Sequence, residues 1–345
     1  MVKVAVVILN WNGRKYLEEF LPTVLKHSKS STTEIFVADN GSTDDSIAFL
    51  TAEYPDVKQI LFEKNYGFAE GYNQALNQID AEYFLILNSD IEVTKNWIDP
   101  LVNVLDSNPL IAGVSPKILA YDSNGFFEYA GAGGGFIDKF GYAFCRGRIF
   151  DTIESDYGQY NNKIDVFWTT GACMLVRSEL FKLSGGFDAD FFAHFEEIDY
   201  CWRMKNRGYR FVYNPESFVY HVGGGTLPKT NPLKTYLNYR NNLTCLYKNL
   251  PPETLKRTIF IRLLLDGLSS FRFIIKFKIA DFFAIIKAHF HFYAQIPKLK
   301  KFRDSEERFL NRKVHNEIYQ GNIVKEYFVK KRISFAALKW NPERN

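Results

Sequence analysis

Carboxylates carry the first chemical signal in this chain. Phe195-Glu196-Glu197-Ile198-Asp199 places three acids within four residues, and a lone His221 follows in Tyr-His-Val-Gly-Gly-Gly-Thr. Upstream, Asn88-Ser89-Asp90 closes an apolar run. These residues supply the parts of a metal-dependent group-transfer site: a carboxylate for a hard cation, an imidazole to complete the ligand set, and a second carboxylate free to take a proton. On a helix, Asp199 and Arg203 stand four apart in acid-first order, so an ion pair competes for Asp199. Glu196 shares that face, while Glu197 is turned roughly 100° away and is the freest candidate base. The same acids also have a purely structural reading, as decoration of a helix start where the macrodipole favours negative charge. A lone histidine is by default an ordinary hydrogen-bonded residue. A divalent ion that completes its shell with substrate phosphates needs few protein ligands, however, so Asp90 and His221 suffice for one. Gly223 to Gly225 would let their loop close over a bound diphosphate.

The elements that position these groups are legible as short apolar runs. Val4 to Leu9, Glu34 to Ala38, Gln59 to Phe62 and Tyr83 to Leu87 alternate with helical stretches, which predicts an α/β fold with a parallel sheet and crossover helices. Ligands of such sheets sit beyond the carboxyl ends of the strands. Those ends read Asn10-Trp11-Asn12-Gly13, Asp39-Asn40-Gly41-Ser42, Asn65-Tyr66-Gly67-Phe68 and Asn88-Ser89-Asp90, small and polar as a nucleotide pocket requires. Between Leu110 and Phe167 a mixed-sheet extension is expected, with strands over Ala112 to Ile118 and Ala143 to Ile149. The cluster Gly131-Ala132-Gly133-Gly134-Gly135 fails the dinucleotide fingerprint, because Phe136 stands where the third glycine is needed, and it reads as a turn. Glu196 to Asn206 should be a helix stopped by Gly208, with a strand over Tyr209 to Tyr213.

Composition bounds the rest. The chain has 345 residues, enough for one large domain with an extension. Residues 1 to 228 hold 19 Lys and Arg against 30 Asp and Glu, whereas 229 to 345 hold 24 against 9. A basic second part suits an anionic, phosphate-bearing partner, or is simply a solvated helical face. A boundary is expected near Pro228-Lys229-Thr230-Asn231-Pro232, followed by helices over Lys234 to Asn249 and Pro252 to Gln295. Their apolar residues recur at helical spacing between Lys and Arg, as in helices lying on a membrane surface; a pair packed on the first domain is the competing arrangement. Past Pro297 the chain is strongly charged and its last residues are expected to be loosely ordered. Four dispersed cysteines without a CxxC pair suit a reducing cytosol. The apolar start ends in Asn-Trp-Asn-Gly rather than a cleavage site, and reads as a strand. The greasy segment Thr258 to Ile296 is interrupted by seven charges and is no membrane span. The two glycosylation sequons, at Asn40 and Asn242, then carry no meaning.

In order along the chain, the motifs resemble those of the family 2 glycosyltransferases, which have the GT-A fold, and in particular the branch similar to bacterial rhamnosyltransferases. The resemblance spans about residues 2 to 227. It runs through Val6-Val7-Ile8-Leu9-Asn10-Trp11-Asn12, Val37-Ala38-Asp39-Asn40-Gly41-Ser42-Thr43-Asp44, Asn65-Tyr66-Gly67-Phe68 with Gly71 and Asn73, Leu87-Asn88-Ser89-Asp90, and Gly185-Gly186-Phe187-Asp188 through Glu196-Glu197-Ile198-Asp199 to Arg203. It implies a GT-A, Rossmann-like, mostly parallel sheet flanked by helices over 1–227, with a basic helical C-terminal region over 228–345. Asp39 matches the acid that hydrogen-bonds the nucleobase, with Asn10 and Asn12 lining the same pocket. Asn65, Gly67 and Asn73 match the nucleotide-side segment, and Asn88, Ser89 and Asp90 the Asp-x-Asp metal motif. Asp90 and His221 would hold a divalent cation, Mg2+ or Mn2+, beside a nucleotide-sugar donor. Glu197 falls at the general base, and Gly171, Ala172, Glu196 and Asp199 lie on the acceptor side.

Two positions depart from the family pattern. Asn88 replaces the first acid of Asp-x-Asp, which leaves one carboxylate for the metal. Glu197 stands where Asp is usual, and its extra methylene moves the base by about one C–C bond, where errors near 1 Å can matter. The resemblance implies an inverting transfer of a sugar, rhamnose from dTDP-rhamnose, to a lipid-linked or oligosaccharide cell-surface acceptor. The enzyme would then be cytoplasmic, with its C-terminal region against the anionic inner face of the plasma membrane. A UDP-hexose donor and a non-catalytic nucleotide- or glycan-binding module are the alternatives. A sugar nucleotidyltransferase would begin with a glycine-rich, Arg-containing phosphate loop, which Asn10-Trp11-Asn12-Gly13 is not. No nucleic-acid partner is expected, since the basic residues follow helical rather than groove-lining spacing.

Overall fold

Along Val4–Asn10 the side chains divide by parity. Val4, Val6 and Ile8 enter one apolar core and Ala5 and Val7 the other, so this strand is covered on both faces. In the computed structural model, which describes residues 2–123, 125–223, 231–310 and 315–342, Val4–Asn10 is β1. The chain continues through α1 (Arg14–Ser28), β2 (Thr33–Asp39), α2 (Ser46–Glu53), β3 (Lys58–Leu61), α3 (Gly67–Leu76), β4 (Tyr83–Asn88), β5 (Ile91–Val93), α4 (Asp99–Ser107) and β6 (Ile111–Ala120). The short strands β7 (Gly135–Asp138), β8 (Ala143–Cys145), β9 (Arg148–Ile149), β10 (Thr152–Ile153) and β11 (Ile164–Val166) follow. Then come β12 (Cys173–Arg177), α5 (Ser178–Leu183), α6 (Glu196–Asn206), β13 (Arg210–His221), α7 (Pro232–Asn249), α8 (Pro252–Ile275), α9 (Ile279–Leu310) and β14 (Ile318–Tyr319).

The main sheet runs β11-β13-β6-β12-β4-β1-β2-β3, with β5 paired to β13. Strands β4, β1, β2 and β3 are mutually parallel, as the alternation of apolar runs and helices predicts. Beyond β4, β12 is antiparallel to its neighbours. The expected mixed extension forms β6 and a second, five-stranded sheet ordered β10-β9-β8-β7-β14. The glycine cluster is a turn, Gly134 N–H donating to Gly131 O, and Gly135 opens β7 so close to Trp168 that a Cβ would lie 2.2 Å from its ring.

Three features of the C-terminal region differ from the sequence reading. The single helix expected over Pro252 to Gln295 is a hairpin of α8 and α9. Phe277 sits at φ 56°, Phe277 N–H donates to Ile274 O and Lys278 N–H to Phe273 O, the bond pair of a Schellman cap. With phenylalanine in place of glycine at the left-handed position, the sequence gives no warning of it. Helix α9 continues through Pro297 to Leu310, so that proline does not end it. The tail is packed over its described residues 315–342, where Ile318–Tyr319 pairs in parallel with β7 and the Phe335 and Trp340 rings pack against Phe136 and Phe144, while the last residues expected to be loosely ordered lie outside the described ones. The boundary expected at 227/228 lies outside the described residues, as do Gly224 and Gly225 of the loop expected to close.

Candidate active site

Parallel register sets Asn10 beside Asp39 at the carboxyl ends of β1 and β2. Both are buried, and Asn10 Nδ2 donates to Asp39 Oδ2 at 2.9 Å while Ser42 N–H donates to Asp39 Oδ1 at 2.8 Å. Asn10 Oδ1 is enclosed without a partner, an orphaned acceptor at the mouth of the sheet. Asn12, at φ 51°, accepts from Thr43 N–H at 2.7 Å and ties the β1 and β2 ends together. Asn40, not singled out from the sequence, organises the next turn: its amide donates to Asn65 Oδ1 and Gly67 O and accepts from Tyr66 N–H. Gly67 begins α3 at φ 79°, where a Cβ would lie 2.5 Å from the Phe192 ring.

At the end of β4, Asp90 meets His221 from the end of β13. Asp90 Oδ1 is 3.1 Å from His221 Nε2, both residues are buried, and Asn88 Nδ2 is 3.5 Å from the same nitrogen. The meeting is built by strand pairing, since β13 aligns His221 with Ile91 of β5, one residue past Asp90. On the other side of the ring, His221 Nδ1 lies 3.3 Å from Glu128 Oε2, an ion-pair distance without hydrogen-bond alignment. Burial alone would lower the imidazole's pKa, but Asp90 and then Glu128 hold it up to about 10. Glu128 is a site residue the sequence did not mark, lying as it does in an aperiodic glycine- and aromatic-rich stretch. Orientation of an imidazole by a carboxylate on its far nitrogen is a common support for a metal ligand. A carboxylate oxygen and an imidazole nitrogen that face each other fit a divalent ion, provided that the ion displaces the imidazole proton lying between them. Among the described residues no cluster of three His, Cys, Asp or Glu forms a cage, so the remaining ligands would come from water and a donor diphosphate.

The acid pair adjoins this strand end. Asn88 N–H donates to Ala172 O, and a Cβ built on neighbouring Gly171 would lie 3.8 Å from Glu197 Cβ. Ser89 borders the same floor, its Oγ 3.4 Å from a Cβ built on Gly13. Glu196 is buried, Glu197 is partly exposed at the residue level, and each has an enclosed Oε2 with no partner. Burial followed by the charge of Glu197 drives the Glu196 carboxyl well up, and burial pushes Glu197 up to about 7. Asp199 does not stand on the acceptor side. Its oxygens accept from Arg203 Nε, Lys248 Nζ and Asn249 Nδ2, each at 2.8 Å, which makes it a tether between α6 and α7.

Residues 5–182 match the sequence model of the glycosyl transferase family 2. The chain belongs to this family. An N-acetylglucosaminyl-diphospho-decaprenol L-rhamnosyltransferase of Mycobacterium tuberculosis is 26% identical over 234 residues, 63% of this chain and 75% of that protein. An O-antigen biosynthesis protein of Myxococcus xanthus is 23% identical over 69% of this chain, and that match spans 19% of the relative's length. Among solved structures, GalNAc-T7 with UDP, GalNAc and Mn2+ superposes with a TM-score of 0.59 at 15% identity, covering 96% of this chain and 57% of that one. TarS 1-349 of S. aureus with UDP gives 0.53 at 17% identity, covering 90% and 89%. These likenesses show the GT-A fold.

In this family 2 glycosyltransferase, the segment leading to the acid pair is held in strained backbone. Phe192, His194 and Phe195 all have positive φ, of 63°, 68° and 73°. Such conformations persist where surrounding contacts over-determine them. Asn241 of α7 donates to the carbonyls of Phe191, Ala193 and His194, and Arg240 to those of Asp190 and Phe191. From the other side, Asn73 of α3 bonds Phe187 through both ends of its amide, and Phe68 and Ala69 N–H donate to Phe192 O. The amide of Asn73, expected on the nucleotide side, is therefore engaged in holding this loop. Burial and the charge of Lys234 lower the His194 pKa to about 4, and its enclosed Nε2 has no hydrogen-bond partner. No sequence signal marks Asn241, Lys248 or Asn249, because their partners are distant in the chain and their helix reads as an ordinary basic one.

Proposed function

We propose that this enzyme is an inverting transferase that moves a sugar from a nucleoside diphosphate to a hydroxyl of a lipid-linked saccharide. The contact between Asp90 and His221, one strand end away from the enclosed acids Glu196 and Glu197, carries this reading. The orphaned Asn10 Oδ1 and neighbouring Asp39 offer an acceptor and a carboxylate to the nucleobase, with Asn12, Asn65 and Gly67 shaping the floor. Burial raises both adjacent carboxyls, and of the two only Glu197 is partly open to solvent, so it is the one placed to meet an acceptor hydroxyl. Glu197 takes the proton of the acceptor hydroxyl as that oxygen attacks the anomeric carbon, and the bond to the diphosphate breaks on the opposite face. When bound by Asp90 and His221, Mg2+ or Mn2+ supplies positive charge against the departing diphosphate. Gly171 and Ala172 border Glu197 on the acceptor side, where a Cβ at Gly171 would crowd the Phe68 ring at 3.1 Å.

The mycobacterial relative, an N-acetylglucosaminyl-diphospho-decaprenol L-rhamnosyltransferase, supports rhamnose as the transferred sugar and a polyprenyl-diphosphate saccharide as acceptor, and dTDP-rhamnose is the donor we assign. Residues 1–227 would form the catalytic unit and 228–345 its extension, at the cytoplasmic face of the membrane where such acceptors are held. Incubation of the full chain with dTDP-rhamnose, Mn2+ and a short-chain polyprenyl-diphosphate N-acetylglucosamine tests this. Product with an anomeric configuration opposite to the donor's is expected, and retained configuration would overturn the mechanism. Transfer from UDP-hexoses in preference would replace the donor assignment.

A further inference from the structure

Helix α8 packs Leu255, Ile259 and Leu263 only partly against the cores and leaves a second apolar face in water. Its buried residues are Thr258, Arg262 and Asp266, all polar and four apart. Arg262 Nε donates to Asp266 Oδ1 at 2.8 Å, its guanidinium lies 3.6 Å from the Tyr142 ring centroid, and His289 of α9 approaches Asp266 at 3.3 Å. Facing away from this polar seam are Phe260, Leu264, Leu268, Phe271 and Ile275, spaced four, four, three and four, and all exposed. Helix α9 repeats the pattern. It buries Ala284, Ile285 and Ala288 and exposes Phe283, Ile286, Phe290 and Tyr293, again at helical spacing. At the turn, Phe277 is 90% exposed in its left-handed conformation. A continuous apolar face of this extent is unfavourable against water.

The charge around that face selects its occupant. From Gly267 to Ala280 the chain carries Arg272, Lys276 and Lys278 and no acid, so the hairpin tip offers a ring of cations around an apolar point. Cations flanking apolar side chains suit an anionic bilayer interface, where lysine heads reach phosphates while their stems stay in the acyl boundary. Among the described residues no helix is long and apolar enough to cross a membrane, so the hairpin would lie in one leaflet. We propose that the α8–α9 hairpin enters an anionic bilayer with Phe277 at its leading tip and the Leu268, Phe271 and Phe283 face in the acyl boundary. This deepens, and rests on, the membrane-side placement of the transferase. The polar seam keeps the hairpin fixed to the second sheet, so the catalytic domain would meet the membrane in one orientation.

The test uses the full chain and vesicles of phosphatidylcholine with or without phosphatidylglycerol. Cosedimentation with the anionic vesicles is expected, and Phe271→Glu with Phe277→Glu should weaken it by at least about tenfold. Because both side chains point into solvent, the thermal transition and donor-dependent transfer to a water-soluble acceptor should stay as in the parent. As a second readout, Phe277→Cys takes an environment-sensitive dye, since the four native cysteines are buried; a blue shift on anionic vesicles supports insertion. Vesicle binding unchanged by the double substitution, with no dye shift, overturns the hairpin while leaving a membrane-side transferase standing. No binding by the parent chain, together with a dimer that the double substitution dissociates, overturns both the hairpin and the membrane placement in favour of a second copy on this face. Intact, hairpin-dependent vesicle binding without nucleotide-sugar binding supports the hairpin and sinks the transferase reading alone.

Discussion

Lys248 of α7 and Asp199 of α6 form an ion pair, Nζ to Oδ2 at 2.8 Å, with the two side chains 1% and 0% exposed. The same ammonium reaches Asp188 Oδ2 at 2.6 Å, on the other side of the strained loop. One cation from the C-terminal region thus braces both ends of the segment that presents Glu196 and Glu197. Lys248 draws the Asp188 carboxyl below its usual range against the opposing effect of burial. Removing one partner of a buried pair leaves an uncompensated charge, which is strongly destabilising. Lys248→Met should therefore cost about 3 kcal/mol in urea unfolding and should slow transfer more than it weakens donor binding. A variant with parent-like stability would show that Arg203 and Asn249 suffice for Asp199.

Replacing Glu197 by Gln removes the proposed base without emptying its space. Turnover should fall by about 10²- to 10⁴-fold while nucleotide-sugar affinity, read by calorimetry, stays within a few fold of the parent. Ordinary turnover would transfer the base role elsewhere.

The pH dependence has a definite sign. The folded protein holds a proton on Glu197 up to about 7, above the ordinary carboxyl value of 4.5. Transfer, which on the proposed mechanism needs the ionised form, should rise with pH through about 7 and level off above. Stability runs the opposite way: a raised carboxyl pKa favours the fold below the unfolded value and that contribution is lost as pH rises through the folded one. At pH above neutrality Glu197→Gln should be the more stable protein, with a higher thermal transition than the parent. Equal thermal transitions at acidic and alkaline pH would contradict the burial of this carboxyl.

Metal affinity should report on Glu128 as well as on the two proposed ligands, Asp90 and His221. Asp90→Ala should abolish Mn2+-stimulated binding of the nucleoside diphosphate. Glu128→Gln, which leaves both ligands in place, should weaken it about 10- to 100-fold. Parent-like Mn2+ stimulation in the Glu128 variant would reduce that residue to a neighbour of His221.

The tail can be tested by stability alone. Phe335 packs among Phe136, Phe144, Tyr160 and Trp340, so Phe335→Ala should cost about 3 kcal/mol. A negligible change would mean that the second sheet holds without its C-terminal cover.

Local signals account for what the sequence disclosed. The apolar runs of β1 to β4, their polar ends and the helix-starting acids of α6 are each contained within a few residues, and they predicted the parallel strands and the helix Glu196–Asn206. The contacts that were illegible join distant residues. Lys248 reads as one cation among many in a basic helix, and only the folded chain sets it between Asp188 and Asp199. Glu128 likewise gains its meaning from His221, which reaches it through the pairing of β13 with β6. The break at Phe277 was invisible because the left-handed cap lacks its customary glycine. Proline at 297 misled in the opposite sense, since the flanking turns of α9 are long enough to carry the helix past it.

The parallel pairing of Ile318–Tyr319 with β7 also orders events during synthesis. The ribosome delivers the amino-terminal strands first, and domains fold as they emerge. The half built around β1, β2 and β4 can therefore collapse early, while the small sheet waits one strand short until Ile318–Tyr319 has been made. In that interval Phe136 and Phe144 lack their cover, so a nascent chain stalled there would present a sticky aromatic edge for chaperones to shield.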